Sequence, residues 1–118
     1  MKIATLLPFM EGEDIKELAQ KIINKEVKGV KLVILFPFLN TEDLDEICDL
    51  LIKEGNNRDL YSALPFLGKE KINKLYEEVK AGNLEGFKEN ALIPFLGHEK
   101  IKEIFNTLVK EAEENVEE

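Results

Sequence analysis

Apolar residues recur along this chain at a helical spacing, and they do so four times in register. They fall at Ile15, Leu18, Ala19 and Ile22; the same offsets give Leu44, Ile47, Cys48 and Leu51, then Ile72, Leu75, Tyr76 and Val79, then Ile101, Ile104, Phe105 and Leu108. Offsets of 0, 3, 4 and 7 stack on one side of a helix with about 3.6 residues per turn. The residues between are mostly Lys, Glu, Asp, Asn and Gln. A half-buried strand would alternate every second residue, and these segments do not. The pattern predicts four long amphipathic helices.

Each stripe follows the same short motif. LPFLGKEKI at 64–72 returns as IPFLGHEKI at 93–101 with seven of nine residues identical, and looser copies are FPFLNTEDL at 36–44 and LPFMEGEDI at 7–15. The chain's four prolines, Pro8, Pro37, Pro65 and Pro94, lie 29, 28 and 29 residues apart. A fixed period of this size marks tandem copies of one supersecondary unit. The units run over residues 1–26, 27–55, 56–82 and 83–118, in a single domain.

Helix starts and stops are written at fixed places. Four residues before each stripe stand Glu11, Asn40, Gly68 and Gly97, of which Asn and Gly are good N-caps. Two residues before each stripe stands a carboxylate, Glu13, Glu42, Glu70 or Glu99. In a first helical turn such a charge is stabilised by the macrodipole, by about 0.3–1 kcal/mol when exposed. Gly55 and Gly82 suit the left-handed residue that ends a helix. Asn56–Asn57 and Asn83 follow as caps for short helices over 58–64 and 84–93, each closed by its proline, which pushes the preceding residue out of the helical region.

Residues 2–7 and 30–36 are rich in β-branched and aliphatic side chains and, taken alone, read as buried strands. Two fold classes follow. One is an all-α, right-handed α-solenoid of four stacked helix pairs, in which residues 30–36 share the slot of 60–64. The alternative is a small α/β repeat with short parallel strands at 2–7 and 30–36. The repeat favours the first, because one unit should have one structure and a lone helix pair cannot bury its stripe without a neighbour. The expected core is the four stripes with the corner residues Met10, Leu39, Leu67 and Leu96. Residues 110–118 extend the last helix as a polar end or fray. The pattern resembles the tandem Pro-Phe-Leu helix-pair repeats of uncharacterised bacterial proteins. That resemblance implies stacked helix pairs and transfers no activity to any residue.

Composition removes several functions. The formal net charge is −8, from 24 acids against 16 bases, with Arg58 the one arginine. Phosphate backbones and anionic membranes both need clustered positive charge, so neither is an expected partner. No apolar run approaches the length of a membrane span, and the first residues lack the plan of a secretory signal. The single Cys48 cannot form an internal disulfide, which suits a reducing compartment. The expected location is the cytoplasm.

Chemistry-bearing motifs are sparse. His98 takes the slot of Lys69 and reads as a surface residue near a helix start, while Cys48 takes the slot of Ala19 and reads as a small buried one. A metal site of these two, in different units, is not expected, and no cofactor is. Phosphate loops, dinucleotide fingerprints and serine elbows are missing. An enzyme or small-molecule binder would need a pocket between units, built on acids and Tyr61 or Tyr76.

Two features suit a docked protein or peptide. The second of the four long helices carries Glu42, Asp43, Asp45, Glu46 and Asp49, either a solvated face or a docking patch for a basic partner. The corner residues Phe9, Phe38, Phe66 and Phe95 are core if they point inward. Left partly exposed, they line an aromatic groove for a helix or extended peptide. The expected function is a non-catalytic interaction module or scaffold, with a purely structural or oligomerising role as the other non-enzymatic possibility.

Overall fold

The computed structural model describes residues 1–115, and all regular elements among them are helical. Helix α1 (Ile3–Leu6) runs into a 3-10 turn, Leu7–Phe9, and then α2 (Gly12–Ile23). A 3-10 segment, Leu32–Phe38, leads into α3 (Thr41–Glu54). Helix α4 (Asn57–Ala63) and the 3-10 turn Leu64–Phe66 precede α5 (Lys69–Lys80), and the 3-10 segment Glu89–Phe95 precedes α6 (His98–Glu114). The strand alternative fails at both places: 3–6 is α-helical and 32–38 is 3-10. A helical turn satisfies its backbone locally, so these apolar residues need no partner strand to be buried. Of the terminal segment expected to extend the last helix, residues 116–118 lie outside the described residues.

Each of the first three long helices packs on the short segment that follows it. Helix α2 lies on Leu32–Phe38, α3 on α4, and α5 on Glu89–Phe95, while α2 and α3 also touch directly. Short segments of successive units lie side by side. Packing on sequence neighbours draws the molecule out to 68 × 25 × 20 Å, with a radius of gyration of 17.7 Å. A compact chain of this length would have about 13–14 Å. No helix among the described residues is long and apolar enough to cross a membrane.

The core is one continuous cluster. It takes Ile15 and Ala19, all four stripe residues of α3, and Ile72, Leu75 and Tyr76 of α5. It also takes residues of the short segments that the stripes did not announce, among them Leu7, Leu32, Leu35, Phe36, Leu60, Ala63, Leu64 and Leu92. The stripe of α6 departs from expectation: Ile101 and Ile104 are half-buried, and Phe105 and Leu108 are exposed. The described residues supply no following short segment to cover them.

The corners are built alike, and differently from expectation. In all four, the residue after Pro-Phe donates its N–H to the carbonyl of the residue before proline: Met10 to Leu7, Leu39 to Phe36, Leu67 to Leu64 and Leu96 to Ile93, at 3.2–3.3 Å. Proline thus continues the short segment through a further turn instead of closing it. The preceding residue stays helical, at φ −51°, ψ −44° for both Leu7 and Leu64. Proline is suited to the second place of such a turn, where its fixed φ helps and its missing N–H is not needed. Burial of Leu7, Phe36 and Leu64 beside the proline offsets the steric cost of that conformation. The next residue turns extended and delivers the chain to Glu11, Asn40, Gly68 or Gly97 at the helix start. Of these only Asn40 caps through its side chain, accepting from Asp43 N–H at 2.8 Å.

The fourth short segment is corrected too. Residues 84–88 are not helical, because Gly86 sits at φ +75° and a side chain there would meet Asn57 Nδ2 at 3.3 Å. That Asn57 amide donates to the Glu85 carbonyl at 3.0 Å. The loop carries Phe87 into the core, stacked on Tyr61 at 4.6 Å, and Tyr61 Oη accepts from Lys88 N–H at 2.8 Å. Asn83 does not cap; its amide donates to Glu78. Asn56 does cap, accepting from Asp59 N–H.

Long helices α2, α3 and α5 stop in one geometry. The N–H groups of Gly55 and Asn56 reach back to the carbonyls of Ile52 and Leu51, and those of Gly82 and Asn83 to Val79 and Glu78. In the first unit Lys25 and Glu26 do the same to Ile22 and Lys21, with Lys25 held at φ +66°. A lysine pays a steric cost in that left-handed region that glycine avoids. Lys25→Gly is expected to stabilise the protein by about 0.5–1 kcal/mol, the relieved strain outweighing glycine's extra unfolded-state entropy. A denaturation midpoint that falls would contradict the shared geometry.

Candidate functional site

The corner turns set their phenylalanines along neighbouring short segments. Leu7–Phe9 lies beside Leu32–Phe38, and Leu64–Phe66 beside Glu89–Phe95. Phe9 is 85% exposed, Phe38 38% and Phe66 42%, and Phe95 is half-buried. Phe9, Phe38 and Phe66 therefore do not point wholly into the core, whereas Phe95 packs against it in part. Phe66 has a tilted ring contact with buried Phe36 at 6.0 Å between centroids, so its inner edge is anchored while its outer face meets water. Val33 and Ile93, on two of the same segments, add exposed apolar surface that the motif did not single out.

The acidic face of α3 is largely engaged. Lys16 on α2 pairs with Glu46 and, at 3.5 Å, with Asp43; Lys71 on α5 pairs with Asp49 at 2.7 Å. The hydrogen bond to Glu46 leads the causes that hold the Lys16 pKa above its ordinary value. Glu42 is exposed and Asp45 half-buried, with Asp45 Oδ1 shielded from water and without a hydrogen-bond partner among the described residues. The acids gathered on one helix in the sequence are thus divided between two interfaces in space. Their cationic partners were not recognised from the sequence, although a signal existed. Lys71 and Lys100 both stand one residue before a stripe, and each reaches the acid five residues into the preceding one, Asp49 or Glu77.

Between α5 and α6 lies a cleft of about 310 Å³ lined by Tyr76, Glu77, Lys80, Lys100, Ile104 and Leu108, among others. The Lys80 and Lys100 ammonium groups lie over the Tyr76 ring at 5.9 and 5.3 Å. Lys100 donates to Glu77 at 2.6 Å, the leading cause of its raised pKa. Tyr61, the other tyrosine considered for a pocket, spends its hydroxyl oxygen on the Lys88 amide. His98 is the exposed first residue of α6. Cys48 is fully buried, and burial pushes its thiol up to about 12, with nearby Lys71 opposing. No group of three or more His, Cys, Asp or Glu among the described residues could hold a metal ion.

Comparison with protein-family models, with curated proteins and with solved structures finds no match to this chain.

Proposed function

We propose that the chain is a right-handed α-solenoid of four stacked helix pairs, of the Pro-Phe-Leu repeat type, and serves as a non-catalytic protein-interaction module. Its docking strip is the row Phe9, Phe38, Phe66 and Phe95. The observation that carries this reading is the exposure of Phe9, Phe38 and Phe66 beside Leu7, Phe36 and Leu64, which the same corners bury. Large aromatic side chains are costly to leave in water and are frequent anchors of interfaces. Exposed segments side by side offer a continuous surface for a helix or an extended peptide. The net charge of −8 favours encounter with a basic partner. With Asp43, Glu46 and Asp49 tied to lysines, Glu42 and Asp45 act as flanking charge and the phenylalanines as anchors.

Selection from a displayed peptide library tests this. Peptides enriched on the wild type are expected to lose at least about tenfold in affinity for Phe9→Ser/Phe38→Ser, the size of one lost aromatic anchor. Phe9 is exposed enough for its replacement to leave the thermal melt nearly unchanged, and because Phe38 is only 38% exposed, binding is compared at a temperature where both proteins are folded. Peptides that bind the variant equally well, or a library that yields none, would remove the strip from consideration.

A further inference from the structure

The outer faces of the first and fourth units carry exposed large apolar residues, whereas stacked repeats generally need polar faces at their ends to stay apart. Leu6 stands two residues before Pro8, the slot held in later units by Leu35, Ala63 and Leu92, all fully buried. Leu6 is 47% exposed. At the other face, Phe105 and Leu108 occupy the slots of the buried Cys48 and Leu51 and are 62% and 58% exposed. One face presents a long-helix stripe and the other a short segment, the two halves of every junction inside the chain.

The charges say what fits between them. At the first junction Lys16, one residue into its stripe, meets Asp43, one before the next stripe, and Glu46, two into it. The second and third junctions use a different register, Lys71 to Asp49 and Lys100 to Glu77. On the outer face of α6 the residue one into the stripe is Lys102. On the outer face of α2 the residues one before and two into the stripe are Asp14 and Glu17. Lys102 and Asp14 are exposed and have no ion-pair partner among the described residues; Glu17 is held only by Lys21 on its own helix, at 3.3 Å. In place of an acid at the register used by the later junctions, α6 has Asn106. The fourth unit is therefore matched to a copy of the first and not to another unit like the third or fourth.

We infer that copies of this chain stack head to tail, α6 of one against α1 and α2 of the next, reproducing the first internal junction with Lys102 paired to Asp14 and Glu17. Burial of Leu6, Phe105 and Leu108 supplies the attraction, and the ion pairs set register and direction. This goes beyond the phenylalanine strip, which lies on the corners and keeps its surface in such a stack. Because the two faces differ, the contact is heterologous and extends unless its rotation closes a ring.

The test is sedimentation of the 118-residue chain over a concentration series at about 0.15 M salt, where charges beyond roughly 8 Å are screened. Wild type should show mass rising with concentration. Lys102→Glu alone and Asp14→Lys/Glu17→Lys alone should each weaken association at least tenfold while keeping the helical circular dichroism of the wild type. An equimolar mixture of the two should restore it, since each variant then finds a complementary face. Leu6→Glu, with its charge in the apolar contact, should abolish association that no charge partner rescues. A wild type that stays monomeric at all concentrations overturns the inference, and so does assembly unaffected by these variants, as pairing of α6 with α6 would give. Loss in both charge variants without recovery in the mixture overturns it equally. None of these outcomes touches peptide binding at the phenylalanines.

Discussion

Leu75→Ala is expected to cost about 2–5 kcal/mol, the range for a large aliphatic side chain truncated in a packed core. Leu75 is fully buried on α5, the helix that packs on the short segment Glu89–Phe95. The truncation loses its burial energy and leaves a space that a packed junction closes only in part. Since domains of this kind are stable by roughly 5–15 kcal/mol, this one change removes a large fraction of the total. The control is Leu108→Ala on α6. It sits four residues further along the stripe pattern and is exposed in the single chain, so in dilute protein, below the onset of stacking between copies, it should cost less than about 0.5 kcal/mol. Urea unfolding of both variants measures the contrast. A lower slope for Leu75→Ala would add that the weakened junction lets the last unit open separately, as expected for neighbour-only packing. Equal costs for the two leucines would mean the junction is not where the stability resides.

The second large effect is alkaline. The Cys48 thiol has an ordinary value of 9.0 and is pushed to about 12 in the fold, first by burial and then, more weakly, by Asp45 and Asp49. Below pH 9 the thiol is protonated in both states and its contribution is constant. As pH rises further the unfolded chain releases the proton and the native chain keeps it. The native state then binds more protons, so stability falls, by about 1.4 kcal/mol per pH unit while the difference lasts. The loss ends near pH 12, where the native thiol also ionises. Cys48→Ala places in this slot the residue that the first unit has there, Ala19, and removes the titration. Stability measured from pH 8 to 11 should therefore decline more steeply in the wild type than in the variant, with lysine and tyrosine titrations common to both. Parallel curves would contradict the buried thiol. A thiol reagent at neutral pH should react only as fast as the fold opens.

Taken by itself, the sequence determined the period of the motif, the four long helices and most of their ends. Those rest on local physics: spacing of apolar residues, carboxylates in first turns, and left-handed glycines at Gly55 and Gly82. The same logic went astray where local preference met tertiary contact. The steric rule at proline placed a helix end that burial of Leu7 and Leu64 moved by a turn. A helix expected over 84–93 gave way at its start to a loop, in which Gly86 is left-handed and Phe87 stacks on Tyr61. Lys25 took a left-handed position that no composition rule assigns to lysine. Candidate function followed the same division. That Phe9, Phe38, Phe66 and Phe95 form a set is legible from their place in the motif. Whether they face the core depended on which side of the corner turn packs on the next unit. The acids of α3 looked like one patch because they share a helix, and only the approach of Lys16 and Lys71 from two sides divided them. A sequence pattern can state which side of a helix is apolar, since that depends on the turn of a single backbone. Which element covers that side, and which face is left uncovered, depends on residues far apart in the chain, and here only the packed structure decided it.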